Sequence, residues 1–155
     1  MTSEFLATLF GLNLQVLKIN TQGLTHGESL IQPAPAGNCL NWILGHIAVT
    51  RDQALGLLGE KPVWNEPDKF LYIRGSKPMT DAAKAMRMEK IMADIERSQE
   101  TLLAALLRQT PESLAVSDEQ GTVADKLAML HFHEAYHTGQ VGLMRRLVGK
   151  DGAIR

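Results

Sequence analysis

The order of apolar and polar residues along the chain predicts four helices separated by loops. In four stretches apolar side chains recur every three or four residues, the spacing that places them on one face of an α-helix. The predicted helices run from Ser3 to Asn20, from Asn38 to Leu58, from Thr80 to Gln109 and from Thr122 to Val148. No stretch shows the strict alternation of a half-buried strand. The pattern therefore predicts an all-α fold, a four-helix bundle.

Within the first predicted helix, one side carries apolar residues and is expected to face the core: Phe5, Leu6, Leu9, Leu12, Val16 and Ile19. Glycine and proline interrupt the pattern after the first and second helices, which predicts long connections at both places. The second of these connections, from Lys61 to Met79, is expected to wall a pocket, since long loops in small domains are often functional.

Composition limits the classes of protein to which the chain can belong. Its 155 residues suit one domain, 1–155, and the aromatic content of 5% favours helix over sheet. A formal net charge of −1 without a long basic patch argues against nucleic-acid binding. No apolar run approaches the roughly 20 residues of a membrane span. The single cysteine, Cys39, and an N-terminus without a basic leader region predict a cytoplasmic protein.

Two histidines of the fourth predicted helix form the strongest chemical signal in the chain. His133 and His137 are four residues apart, so both imidazoles project from one helical face. Val141 and Met144 continue that face, which indicates that the histidines occupy core positions. A buried polar side chain needs a partner, and a shared divalent metal ion would serve both histidines.

Three further histidines compete for the role of third ligand. His131 lies about 200° around the helix from His133 and points away, and His26 falls in a glycine-rich loop that cannot be placed. His46 lies in the middle of the second helix on a largely apolar face, so it should point inward. The candidate metal site is therefore His46, His133 and His137. The alternative is that each imidazole is satisfied by a carbonyl or carboxylate of the core.

The same residues match the H-E-x-x-H pattern of zinc proteases, but the surrounding sequence argues against a protease. The extended pattern requires a third histidine at position 143, which is Leu143. No glutamate follows Glu134, so a downstream carboxylate ligand is also missing. Protease domains of this type pair the helix with a sheet, and the chain shows none.

Glu134 is the one candidate catalytic residue. Lying between the two histidines, it could act as a general base or orient a ligand. The structural alternative is that it pairs with His131 or with a charge on another helix. Trp64, Tyr72 and Arg74 of the long connection are candidate substrate contacts, whereas Cys39 is expected to be a buried structural thiol.

Three segments resemble the DinB-like superfamily of four-helix-bundle proteins: NWILGH at 41–46, HEAYHTGQ at 133–140 and LMRRLVG at 143–149. The resemblance implies a divalent metal, commonly nickel or zinc, held by three histidines that correspond to His46, His133 and His137. It also implies an up-down-down-up bundle and a homodimer. Some relatives are thiol-dependent transferases or isomerases that use mycothiol, bacillithiol or glutathione.

The sequence thus leaves three functions open. The first is a metal-dependent enzyme, of the thiol-dependent transferase or isomerase type or a hydrolase, acting on a small thiol or electrophile at an open coordination position. The second is a non-catalytic stress-response or interaction protein whose metal only fastens the bundle. The third is a helical interaction module that holds no metal.

Overall fold

A computed structural model describes residues 2–154 and confirms the all-α prediction; the two end residues of the predicted domain lie outside the described part. The helices are α1 Ser3–Thr21, α2 His26–Ser29, α3 Leu40–Leu57, α4 Glu66–Lys69, α5 Met88–Leu107, α6 Pro111–Ala115 and α7 Val123–Leu147. Two two-residue strands, β1 Ser117–Asp118 and β2 Gly121–Thr122, pair antiparallel just before α7. Strands this short have no room for the alternation that would reveal them.

The four long helices pack so that α1 and α3 each lie against both α5 and α7. Their apolar side chains form two buried clusters, one around Leu6, Phe10 and Leu102, the other around Leu44 and Ile47. None of the described helices has the length and apolar character needed to cross a bilayer.

The expected inner face of the first helix is wrong in part. Phe5 and Leu12 are about half exposed, while Leu6, Phe10 and Leu17 of α1 are buried. Apolar residues lie on two sides of α1. Phe5, Leu12 and Ile19, which are seven residues apart, lie on the side that faces outward. Periodicity identified the helix but did not distinguish its two apolar sides.

The third long helix begins eight residues later than predicted, at Met88 and not at Thr80. The backbone just before it is bound by distant side chains: the Met86 amide donates to the Tyr72 hydroxyl at 2.9 Å, and Asn41 donates to the Met86 carbonyl at 2.9 Å. These tertiary hydrogen bonds take the groups that another turn of helix would have used.

The α3 helix is almost entirely enclosed, with fifteen of its 18 residues buried. The connection between α3 and α5 covers its otherwise open side and is fastened there by Asp52, whose carboxylate accepts from the Val63 and Trp64 amides at 2.7 and 3.1 Å. Further along, the Tyr72 ring lies directly on Gly45, where a Cβ atom would come within 2.2 Å of the ring. Glycine at position 45 therefore allows the connection to pack on α3.

Candidate metal centre

The three predicted histidines meet at the contact between α3 and α7. His133 and His137 lie on successive turns of α7, and His46 faces them from the middle of α3. The Nε2 atom of His133 is 3.3 Å from Nε2 of His46 and 3.2 Å from Nε2 of His137. One nitrogen from each ring can be chosen so that all three lie within 4.8 Å of one another. The inward direction predicted for all three residues is therefore correct.

Hydrogen bonds at the outer nitrogens fix the tautomers of two of these rings. His46 donates from Nδ1 to the Tyr72 carbonyl oxygen at 2.7 Å, and His137 donates from Nδ1 to Oε1 of Gln140 at 2.7 Å. A neutral imidazole carries one proton. Since Nδ1 holds it in both residues, both Nε2 atoms present lone pairs to the centre of the cluster.

His133 cannot satisfy both of these lone pairs. Its single proton can serve one neighbour at most, and its own Nδ1 is buried with no hydrogen-bond partner among residues 2–154. At least one Nε2 lone pair of the cluster is therefore left without a hydrogen to accept. A divalent cation would accept all three, and imidazole nitrogen is a preferred ligand for zinc and nickel. The donor set fits a metal on chemical grounds.

The surroundings favour the neutral form of all three imidazoles. Burial lowers the pKa of His46, although the Tyr72 carbonyl works in the opposite direction. Burial also lowers the pKa of His133, helped by the neighbouring His46 and Arg74. The same cause lowers the pKa of His137 to about 4. Metal ligands must be deprotonated, so near neutral pH the cluster is already in its binding form.

The histidines open into a cleft of about 590 Å³ between α3, α7 and the connection before α5. Its wall is formed by Gly37, Asn38, Trp42, Ile43, Arg74, Tyr136 and Gln140 together with the three histidines. Trp42 stacks on the His46 ring at 4.7 Å, and its indole N–H donates to the Ser76 hydroxyl at 2.8 Å. A small molecule could therefore reach the imidazoles from solvent.

Of the three expected substrate contacts, Arg74 alone lines this cleft. Trp64 is buried and donates to the Asp94 carboxylate at 2.7 Å. Tyr72 is buried too, and its hydroxyl donates to Asn41 at 3.1 Å. These two aromatic side chains belong to the core. Tyr72 serves the site through its backbone carbonyl, a role that no side-chain pattern could have revealed.

Glu134 points into the bundle and does not line the cleft. Its two carboxylate oxygens accept from Nε and Nη2 of Arg51 at 2.9 and 2.8 Å, and both side chains are almost completely buried. Arg51 also donates to Gln99 at 2.9 Å and to the carbonyls of Ile95 and Phe10 at 3.2 and 3.3 Å. This geometry favours the alternative of a partner on another helix, and a catalytic role for Glu134 stays a prediction without geometric support.

The remaining candidates lie elsewhere. His26 accepts from the Met88 amide at 3.3 Å, and His131 packs edge-on against Phe10. Cys39 is buried at the start of α3, and burial raises the pKa of its thiol, as suits a structural cysteine. The sequence did not predict the role of Arg51, since the residues next to it in the chain do not indicate that it forms an ion pair with a residue of α7.

Comparison with known proteins identifies the fold and the family. A family model described as the DinB superfamily matches residues 13–141. The solved structure of a conserved protein from Enterococcus faecalis aligns with a TM-score of 0.75 at 17% sequence identity, covering 96% of this chain and 98% of that one. This likeness shows a shared fold. No curated protein matches the chain in sequence.

Proposed function

The chain belongs to the DinB superfamily, and on this premise we propose that it binds a divalent metal, nickel or zinc, through His46, His133 and His137. We further propose that it is a metal-dependent enzyme, a thiol-dependent transferase or isomerase or a hydrolase, acting on a small thiol or electrophile. The observation that carries the proposal is the convergence of three Nε2 atoms with too few protons to bond one another.

The residues around the proposed site have separable tasks. The Tyr72 carbonyl and the Gln140 side chain orient two imidazoles, as outer hydrogen bonds do for metal-binding histidines. A bound divalent metal would lower the pKa of a thiol and stabilise its thiolate. Tyr136, about three-fifths exposed on the cleft wall, presents a hydroxyl that can donate to a substrate oxygen.

The second candidate function is a metal that only fastens the bundle. Such a site is closed, with four protein ligands. Within residues 2–154 the cluster offers three histidines and no carboxylate or thiolate, and it opens into a cleft. Both features support an exchangeable position and therefore the enzyme.

We also propose the up-down-down-up arrangement of the four long helices. Helices α1 and α7 run parallel, because Asn13 donates to the His131 carbonyl and Asn20, further along α1, lies beside Gly142, further along α7. Helices α1 and α5 run antiparallel, because Gly11 lies near Gln99 whereas Lys18, further along α1, pairs with Glu96, which comes earlier in α5.

A homodimer in the cytoplasm completes the proposal. The surface of α1 and α7, two helices that pack on each other, carries large exposed apolar side chains: Phe5, Leu12, Met129, Phe132, Leu143 and Leu147. Apolar patches of this kind mark interaction sites. Light scattering should give a mass twice that of one chain, and Phe132→Glu should halve it. Leu103→Glu, an exposed site on α5, is the matched control and should leave the dimer intact.

Loss of metal in His137→Ala tests the proposed function. The purified protein, loaded with zinc or nickel and dialysed, should hold about one metal ion per chain by elemental analysis, and His137→Ala should hold almost none. His131→Ala, which removes a histidine from the same helix outside the cluster, is the control and should keep its metal. Equal metal content in the wild-type protein and His137→Ala would refute the site.

A further inference from the structure

The wall of the cleft carries positive charge and no negative charge among the described residues. Among residues 2–154 that line the cleft, Arg74 is the cation and none is an aspartate or a glutamate. A metal bound by the three histidines would add further positive charge. The cleft is therefore suited to an anion.

Arg74 is held over this cleft by its neighbours in the chain. On one side the Tyr72 carbonyl accepts the hydrogen bond from His46, and on the other the Ser76 hydroxyl accepts from the Trp42 indole at 2.8 Å. Trp42 and His46 lie one turn apart on α3. The backbone on both sides of Arg74 is thus tied to the helix that carries the proposed ligand.

The guanidinium of Arg74 is available to a ligand. It is exposed, and no carboxylate of residues 2–154 lies within 4 Å of it, although eleven ion pairs form elsewhere in that part of the chain. A guanidinium presents its N–H groups in a planar fork that matches a carboxylate.

We propose that Arg74 is a specificity-determining residue that binds a carboxylate on the small molecule entering the three-histidine cleft. This proposal rests on the proposed function, because it assumes that the molecule also reaches the metal. It restricts the substrate class to anionic small molecules, with the carboxylate at the Arg74 end of the cleft and the reacting group at the histidine end.

Binding of three short thiols to the cobalt(II)-loaded protein tests the proposal. The thiols are 3-mercaptopropionate, its neutral amide and 2-aminoethanethiol, and the visible absorption of cobalt reports binding. We expect the carboxylate to bind about tenfold more tightly than the amide, as befits a charge-assisted contact, and the amine to bind most weakly. Arg74→Gln should abolish this order, whereas Arg74→Lys should retain part of it.

Lys77→Gln is the matched control, because it removes an exposed cation of the same connection that does not line the cleft. It should keep the wild-type preference. Equal binding of carboxylate and amide by the wild-type protein, or a preference that survives Arg74→Gln, would overturn the role of Arg74 and leave the metal site standing. Failure of the wild-type protein to bind cobalt would overturn both.

Discussion

Two polar groups lie side by side between α3 and α7, one fully buried and one partly buried, and they differ in how completely the protein satisfies their hydrogen bonds. In one, the carboxylate of Glu134 and the guanidinium of Arg51 bond each other through two hydrogen bonds. In the other, His46, His133 and His137 make two Nε2–Nε2 contacts, and the one proton of His133 can serve only one of them. Glu134 directly follows His133 in sequence, yet its side chain belongs to the opposite kind of site.

This difference in hydrogen bonding suggests a structural role for the ion pair and a binding role for the histidine cluster. A buried ion pair with its hydrogen bonds made needs no further partner, whereas a partly buried cluster with an unpaired acceptor would be stabilised by a bound cation. Native proteins keep few unsatisfied buried groups, and those that persist are often binding sites. The comparison therefore assigns a structural role to Arg51 and Glu134, and it supports the proposal that the histidines bind a metal.

Breaking the ion pair should have the largest effect on stability. Arg51→Leu leaves the Glu134 carboxylate buried without a partner and should lower the free energy of unfolding by about 3–5 kcal/mol, measured by urea denaturation of the metal-free protein. The double variant Arg51→Met/Glu134→Leu should recover much of that loss, because no charge is then left buried. Lys18→Met removes the exposed pair with Glu96 and should change stability by less than about 1 kcal/mol.

The variant Glu134→Gln tests whether Glu134 acts in stability or in metal binding. It also provides a result if Arg51→Leu does not fold. It should reduce stability while the metal content stays at about one ion per chain. Normal stability combined with lost metal would instead place Glu134 in the metal site.

Adding a side chain at Gly45 should reduce both the stability of the protein and its zinc affinity, with a smaller effect on stability than breaking the ion pair. In Gly45→Ala the new methyl group would overlap the Tyr72 ring, so the ring must move together with the carbonyl that orients His46. We expect a loss of about 1–3 kcal/mol in unfolding free energy, typical of overpacking, together with weaker zinc binding in a competition assay. Gly56→Ala, in the same helix with open space around it, should keep wild-type zinc affinity; equal zinc affinity in the two variants would contradict the role of Tyr72.

Removing the hydrogen bond to His137 should have the smallest effect and should act on the metal alone. Gln140→Ala frees Nδ1 of His137 and should weaken zinc binding by about tenfold, in the range found for residues that orient metal-binding histidines. Stability of the metal-free protein should change by less than about 1 kcal/mol, since Gln140 is only partly buried. Gln140→Glu, which keeps an acceptor at this position, should restore most of the zinc affinity, and failure to do so would refute the hydrogen bond as the cause.

Much of the candidate site could be predicted from the sequence because it depends on local helix geometry. The four-residue spacing places His133 and His137 on one face whatever the rest of the chain does. The apolar neighbours of His46 likewise show that it points inward. The predicted start at Thr122 is also local: Thr122 caps α7, with the Asp125 amide donating to the threonine hydroxyl at 3.0 Å.

The pairing of polar groups across the bundle became visible only in the folded chain. The pairing of Arg51 with Glu134 joins residues 83 positions apart, and the Tyr72 carbonyl reaches His46 from a connection without regular periodicity. The four long helices and the inward direction of the histidines could be predicted from the amino-acid order, since both follow from contacts between near neighbours in the chain. That order left open which charge would be neutralised and which lone pairs would stay unpaired, because hydrogen-bond partners distant in sequence are fixed by packing.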